Sequence, residues 1–326
     1  MRDHRAPRWL VGGHLQTIWP AVVARRFQGP PPRFTRERWT TPDGDFVDVD
    51  RLPALAASRP APTPLVVLFH GLEGSSSSHY AQAFARAVQA RGWAMAVPHF
   101  RGCSGPINLA PRAYHSGDFE EVGWMLGRLR AAHPGPLLAV GVSLGGNALL
   151  RWAEEAGASA DATVRALAAI SAPLDLAAGS RVIGRGFNRL AYTRLFLRSM
   201  KPKALAKLAQ HPGLFDRQRL LAARTLYDFD DLFTAPLHGF RNAADYYARG
   251  SAGPHLHRIR VPSLVLNARN DPFLPAASLP RAADVGPCVT LWQPAHGGHV
   301  GFAEGPWAGR LATLPEHVLG WLQAQL

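Results

Sequence analysis

The chain alternates short unbroken apolar runs with stretches whose apolar positions recur every three or four residues. The runs are residues 65–69, 93–97, 137–142 and 167–170, with two further strand patterns, 263–268 and 288–292, that include single polar residues. Their length and lack of alternation suit strands buried on both faces of a parallel sheet. Between them, residues 80–91 set Phe84, Ala87 and Val88 on one helical face. Residues 118–131 do the same with Phe119, Val122, Leu126 and Leu129. The serines from Ser75 to Ser78 can cap the first of these helices. Residues 36–41 and 46–51 flank Pro42-Asp43-Gly44-Asp45, the pattern of a hairpin closed by an Asp-Gly turn. A last helix is expected over about 314–322, with Thr313 as its N-cap and Pro315 in its first turn. Residues 1–35 read as irregular and proline-rich, and residues 176–255 as helices and loops without a strand pattern. The expectation is an α/β fold with a mostly parallel central sheet flanked by helices. Residues 1–175 and 256–326 would form its core, and 176–255 an inserted helical cap or lid.

Composition narrows this. The 326 residues, 47% hydrophobic, are enough for one large core. The formal charge is +13, and only Lys201, Lys203 and Lys207 among the 36 basic residues are lysine. Such arginine excess, with abundant Ala, Gly and Pro, fits GC-rich coding as well as a binding surface. It leaves room for attraction to anionic lipid or acidic substrates. There is no nucleic-acid-binding motif, so no such partner is expected. Cys103 and Cys288 give no disulfide framework and no metal-ligand spacing. No signal-peptide core and no run near the roughly 18 apolar residues of a membrane span occurs, so a soluble, cytoplasmic protein is expected.

The candidate chemistry lies where the 137–142 run meets Gly141-Val142-Ser143-Leu144-Gly145, after which a helical pattern begins. Strand, G-x-S-x-G and helix together form a nucleophile elbow, with Ser143 lifted above the sheet edge. A serine hydroxyl needs a general base held in the correct tautomer. In this topology the order is Ser, then an acid, then His, each after a strand. Asp271 follows the 263–268 run, and His299 follows the 288–292 run. His296 competes with His299, but Gly297, Gly298 and Gly301 frame the latter. The H-x-x-H pair has no third ligand nearby in sequence, so no metal is expected. An oxyanion would be held by the backbone N–H groups of Leu144 and of Leu72, in His70-Gly71-Leu72-Glu73-Gly74. From Leu176 to Phe215 there is no acidic residue, while Arg181, Arg185 and Arg189 are spaced to share one side of a helix. Phe187 and Phe196 interleave with the basic residues as candidates to cover an acyl pocket. Gly12-Gly13-His14-Leu15-Gln16-Thr17-Ile18 mixes small, polar and apolar groups to no evident end.

Several stretches together carry a family resemblance. They are His14-Leu15-Gln16-Thr17, His70-Gly71-Leu72-Glu73-Gly74-Ser75, Tyr114-His115-Ser116-Gly117 and the segment Gly141 to Asn147. They continue with Phe229-Asp230-Asp231, Thr234-Ala235-Pro236, Gly239-Phe240, Asp245-Tyr246-Tyr247 and the segment Gly297 to Phe302. On these the chain resembles the type-4 family of the AB hydrolase superfamily, the YheT-like esterases. The resemblance implies an α/β-hydrolase fold, a Ser143, Asp271, His299 charge-relay set and carboxylic-ester hydrolysis without a cofactor. Some relatives act on acylglycerols or phospholipids, so a small ester or lipid is the expected substrate; the basic stretch from Leu176 to Phe215 separately makes an anionic membrane a candidate peripheral contact. A non-catalytic ligand-binding protein on the same scaffold is the alternative. Acyl transfer is another, although Glu304 stands where an H-x4-D motif would place aspartate.

Overall fold

The computed structural model describes residues 4–24, 30–54 and 62–326. The apolar runs become β3 (Leu65–Phe69), β4 (Ala94–Pro98), β5 (Leu137–Val142), β6 (Ala166–Ile170), β7 (Ser263–Leu266) and β8 (Val289–Trp292). They follow β1 (Thr35–Thr40) and β2 (Phe46–Leu52), the two arms of the hairpin. All eight lie in one sheet, ordered β1-β2-β4-β3-β5-β6-β7-β8. From β4 to β8 every pairing is parallel, and β2 joins β4 antiparallel. This is the mostly parallel α/β sheet expected from the sequence.

The unbroken runs reflect two cores, one on each face. In β3, Leu65, Val67 and Phe69 face one core, and Val66 and Leu68 the other. β5 repeats the alternation, with Leu137 and Ala139 against Leu138, Val140 and Val142. Helices α3 (Phe119–Ala132) and α4 (Leu144–Ala156) cover the first face through Val122, Leu126, Leu149 and Trp152. Helix α2 (His79–Ala90) and the C-terminal helix (Thr313–Gln323) cover the second through Phe84, Val88, Val318 and Leu322. A strand buried on both faces gains about 1.5–3 kcal/mol per large side chain, which favours the apolar residues found throughout β3, β5 and β6.

Local readings needed correction at four places. Residues 12–22 are helical, α1 (Gly12–Val22), although Gly12, Gly13 and an internal Pro20 oppose a helix. Tertiary contacts of the buried Gln16, Thr17 and Pro20 override that propensity. Ser78 precedes α2, but its hydroxyl accepts from the Ser75 N–H and not from the helix. Thr313 is the first helical residue and not the cap. Arg181, Arg185 and Arg189 do not share a helix, because α5 (Leu176–Ile183) ends at Gly184. Between β6 and β7 the described residues contain helices and no strand, chiefly α5, Arg194–Gln210, Arg217–Ala222 and Ala243–Gly250.

Candidate active site

Ser143 joins the end of β5 to α4 with φ 52° and ψ −119°, a conformation that non-glycine residues rarely adopt. The glycines around it make the turn feasible. A Cβ on Gly141 would lie 2.5 Å from the Gly145 carbonyl oxygen, and one on Gly145 would lie 2.5 Å from the His70 oxygen. The Ser143 N–H donates to the Ile170 carbonyl at 2.8 Å, which ties the elbow to β6.

The loops after β7 and β8 bring Asp271 and His299 to this serine. His299 Nδ1 donates to Asp271 Oδ2 at 2.8 Å, and Ser143 Oγ lies 3.0 Å from His299 Nε2. A carboxylate accepts only, so the ring proton sits on Nδ1 and leaves Nε2 free to accept the serine proton. The Asp271 side chain is fully buried, and its Oδ1 accepts the Phe273 N–H at 2.8 Å. Phe273 also packs its ring 4.4 Å from that of His299. His296, the competing histidine, is exposed to solvent.

Three N–H groups of the loop after β3 have acceptors. Gly71 N–H donates to Tyr80 Oη at 2.9 Å, Glu73 N–H to Tyr114 Oη at 2.9 Å, and Gly74 N–H to the Gly71 carbonyl at 2.9 Å. The Leu72 N–H has no acceptor among the described residues, and neither has the Leu144 N–H at the start of α4. Both residues line the cavity that contains Ser143 and His299. Two unpaired donors beside a nucleophile can hold developing negative charge, helped by the helix N-terminus. His70 braces this loop from beneath: its Nδ1 donates to the Gly71 carbonyl at 2.8 Å and its Nε2 accepts the Phe100 N–H at 3.1 Å. Burial pushes the imidazole down to about 3, so the ring stays neutral.

The cavity at Ser143 has a volume of about 490 Å³, within the range of small-molecule sites. Its walls are largely apolar, with Ile18 and Val22 from α1, and Ile183, Leu195, Phe196 and Phe233 from the helical segment. Phe187 is not among them; it is 54% exposed and packs edge-on against His14. Lys203 and Lys207 turn inward as well. Lys203 pairs with Glu73 at 2.9 Å, and Lys207, almost fully buried, donates to the Asn108 carbonyl and to Gln210 Oε1. Neither belongs to an exposed basic face. Burial pushes the Cys103 thiol up to about 12, so it is no rival nucleophile. A larger open groove of about 1330 Å³, lined by Arg181, Tyr227 and Arg281, contains none of Ser143, Asp271 and His299.

The sequence did not disclose the residues that hold these loops: His70, Tyr80 and Tyr114 at one, Gln16, Thr17 and Asn270 at the others. For Gln16 and Thr17 the signals were the mix of polar and apolar groups around them and their place in the His14-Leu15-Gln16-Thr17 stretch that carries the family resemblance.

The α/β-hydrolase fold model matches residues 64–306. YheT of Escherichia coli strain K12, which carries the name of a candidate esterase, is 40% identical over 318 residues, 96% of this chain and 91% of its own. Mouse phospholipase ABHD3 is 29% identical over 327 residues, 98% of this chain and 77% of its own. Among solved structures, mouse alpha/beta hydrolase domain-containing protein 10 superposes with a TM-score of 0.53 at 15% identity, over 90% of this chain and all of its own. Sheet order, elbow and sequence agree: this chain belongs to the alpha/beta-hydrolase family, on its YheT-like branch.

Proposed function

We propose that the protein is a serine esterase that hydrolyses short- to medium-chain acyl esters or acylglycerol-like lipids through an acyl-enzyme. One observation carries the reading, the continuous hydrogen-bonded line from Ser143 Oγ through the His299 ring to Asp271. Ser143 Oγ attacks the ester carbonyl carbon while His299 Nε2 takes its proton. The oxyanion is held by the N–H groups of Leu72 and Leu144. Asp271 stabilises the imidazolium, which passes its proton to the departing alkoxide. Water, deprotonated by the same Nε2, then attacks the acyl carbonyl and releases the acid and the serine hydroxyl. Residues 176–255 act as a cap whose apolar side chains take the acyl chain, each buried CH₂ adding about 0.8 kcal/mol.

A p-nitrophenyl ester series of increasing chain length tests this. Activity should peak at short to medium chains, and Ser143→Ala should lower kcat by at least about 10³-fold with the fold retained. Undiminished turnover in purified Ser143→Ala would exclude the mechanism.

The likeness to a phospholipase supports a lipid substrate, and the surface around the cavity supports an anionic lipid layer as its source. Val22 and Leu195 line the cavity and are also exposed, so it opens between α1 and the cap. Val11, Leu15, Phe187 and Leu190 are exposed on the same two segments. Arg181, Arg185, Arg189, Arg194 and Arg198 are exposed among them, with no ion pair among the described residues. No helix among the described residues is long and apolar enough to cross a membrane. Contact would therefore be by adsorption, with about 1 kcal/mol from each arginine near the surface.

A further inference from the structure

Helix α1 is wedged between the two loops that carry Asp271 and His299. Gln16 Oε1 accepts from Asn270 Nδ2 at 2.8 Å and from the Gly297 N–H at 2.9 Å. Its Nε2 donates to the Leu10 carbonyl at 2.8 Å. Only the amide oxygen can face two donors, so the orientation of the side chain is fixed. Thr17 Oγ1 donates to the Gly13 carbonyl at 2.7 Å and accepts the His299 N–H at 2.9 Å. Asn270 closes the ring, its Oδ1 accepting the Gly298 N–H at 3.0 Å.

The backbones touch as well. A Cβ on Gly301 would lie 1.8 Å from the Gln16 carbonyl oxygen, and one on Gly13 would lie 1.9 Å from the Asn270 oxygen. Gln16 and Thr17 are both buried, at 3% and 8% exposure. One side chain thus joins the residue before Asp271 to the residue two before His299, and the next holds the His299 backbone itself.

We propose that Gln16 and Thr17 are positioning residues for the reacting groups. Gln16 sets the spacing of the Asp271 and His299 loops, and Thr17 sets the place of the His299 ring between Asp271 and Ser143. This rests on the reading of those three residues as the catalytic set. The His299 ring must meet two partners at once, at 2.8 Å and 3.0 Å. A displacement of about 1 Å in such a geometry can cost about 10²-fold in rate. Gln16 does not line the cavity; Thr17 does, but its hydroxyl donates to the Gly13 carbonyl and accepts the His299 N–H, so substrate binding should change little.

The test compares Thr17→Val, Thr17→Ser and Gln16→Met with the wild type, using p-nitrophenyl ester kinetics normalised to the fraction labelled by a fluorophosphonate. Thr17→Val and Gln16→Met should lower kcat about 10- to 100-fold with KM changed less than about twofold. Thr17→Ser should stay within about threefold of wild type, because it keeps the hydroxyl. The low-field proton resonance of the His299 Nδ1–Asp271 bond should persist in Thr17→Ser and broaden away in Thr17→Val. That signal does not depend on turnover and would not move if Thr17 only stabilised the fold. Should Gln16→Met fail to fold, the Thr17 pair decides alone. Wild-type kcat and an unchanged low-field proton in Thr17→Val, with Ser143→Ala inactive, would overturn the positioning role. Full activity in Ser143→Ala would overturn the catalytic set beneath it.

Discussion

His70 shows what a single buried side chain does for the site. It spans the Gly71 carbonyl and the Phe100 N–H as a neutral ring, and so fixes the loop whose next residue, Leu72, presents an unpaired N–H. Its folded pKa of about 3 lies below the roughly 6.5 of an unfolded histidine. Between those values only the unfolded chain holds the proton. The stability it contributes is therefore complete above about pH 6.5 and is lost as pH falls towards 3. By pH 5 the loss should be about 2 kcal/mol, at 1.36 kcal/mol per pH unit. Urea unfolding at pH 7 and pH 5 checks this against His70→Asn, whose amide can still donate to Gly71. Wild type should lose about 2 kcal/mol more than the variant over that interval, and parallel losses would show that His70 is not held neutral. At this scale, the candidate nucleophile, acid and base were legible because each follows an apolar run, and glycines mark the turns. The bracing residues were not. Tyr80, Tyr114 and Gln16 act through contacts 9, 41 and 281 residues away in sequence, and no local pattern records such contacts.

The strands were legible as elements because burial on both faces demands unbroken apolar runs. α1 was not, because its own residues disfavour a helix and only its packing stabilises one. The helical segment between β6 and β7 was legible as a change of pattern, but its detail was not: Gly184 ends α5, so the arginine spacing described no single helical face. What remains is a set of exposed arginines beside exposed apolar residues of α1 and that segment. Cosedimentation with vesicles tests whether these two elements adsorb to lipid. Binding should be measurable with anionic vesicles at low salt, fall as salt rises, and be weak with zwitterionic vesicles. Replacing Arg185 and Arg189 with Gln should weaken it by about 1 kcal/mol each. Equal and negligible binding to both vesicle types would leave the segment with only its proposed role as cover of an acyl pocket.

Across the whole molecule, the sheet brings together residues far apart in the chain. Ser143, Asp271 and His299 come from the ends of β5, β7 and β8, and Leu72 from the end of β3. Parallel strands all point the same way, so their following loops converge on one edge, where this fold family carries its chemistry. The α/β architecture could be read from strand–helix alternation. The meeting of the four loops was an expectation from that topology, but the part played by α1, which reaches back across the sheet's edge, was not. The claim that Ser143 is an activated nucleophile is tested most directly by reaction with a fluorophosphonate, followed by mass spectrometry of the labelled peptide. A single adduct should form on Ser143, be absent in Ser143→Ala, and form at least about 10³-fold more slowly in folded His299→Ala. A folded wild-type protein that takes no label, or takes it elsewhere with Ser143 unmodified, would contradict the claim.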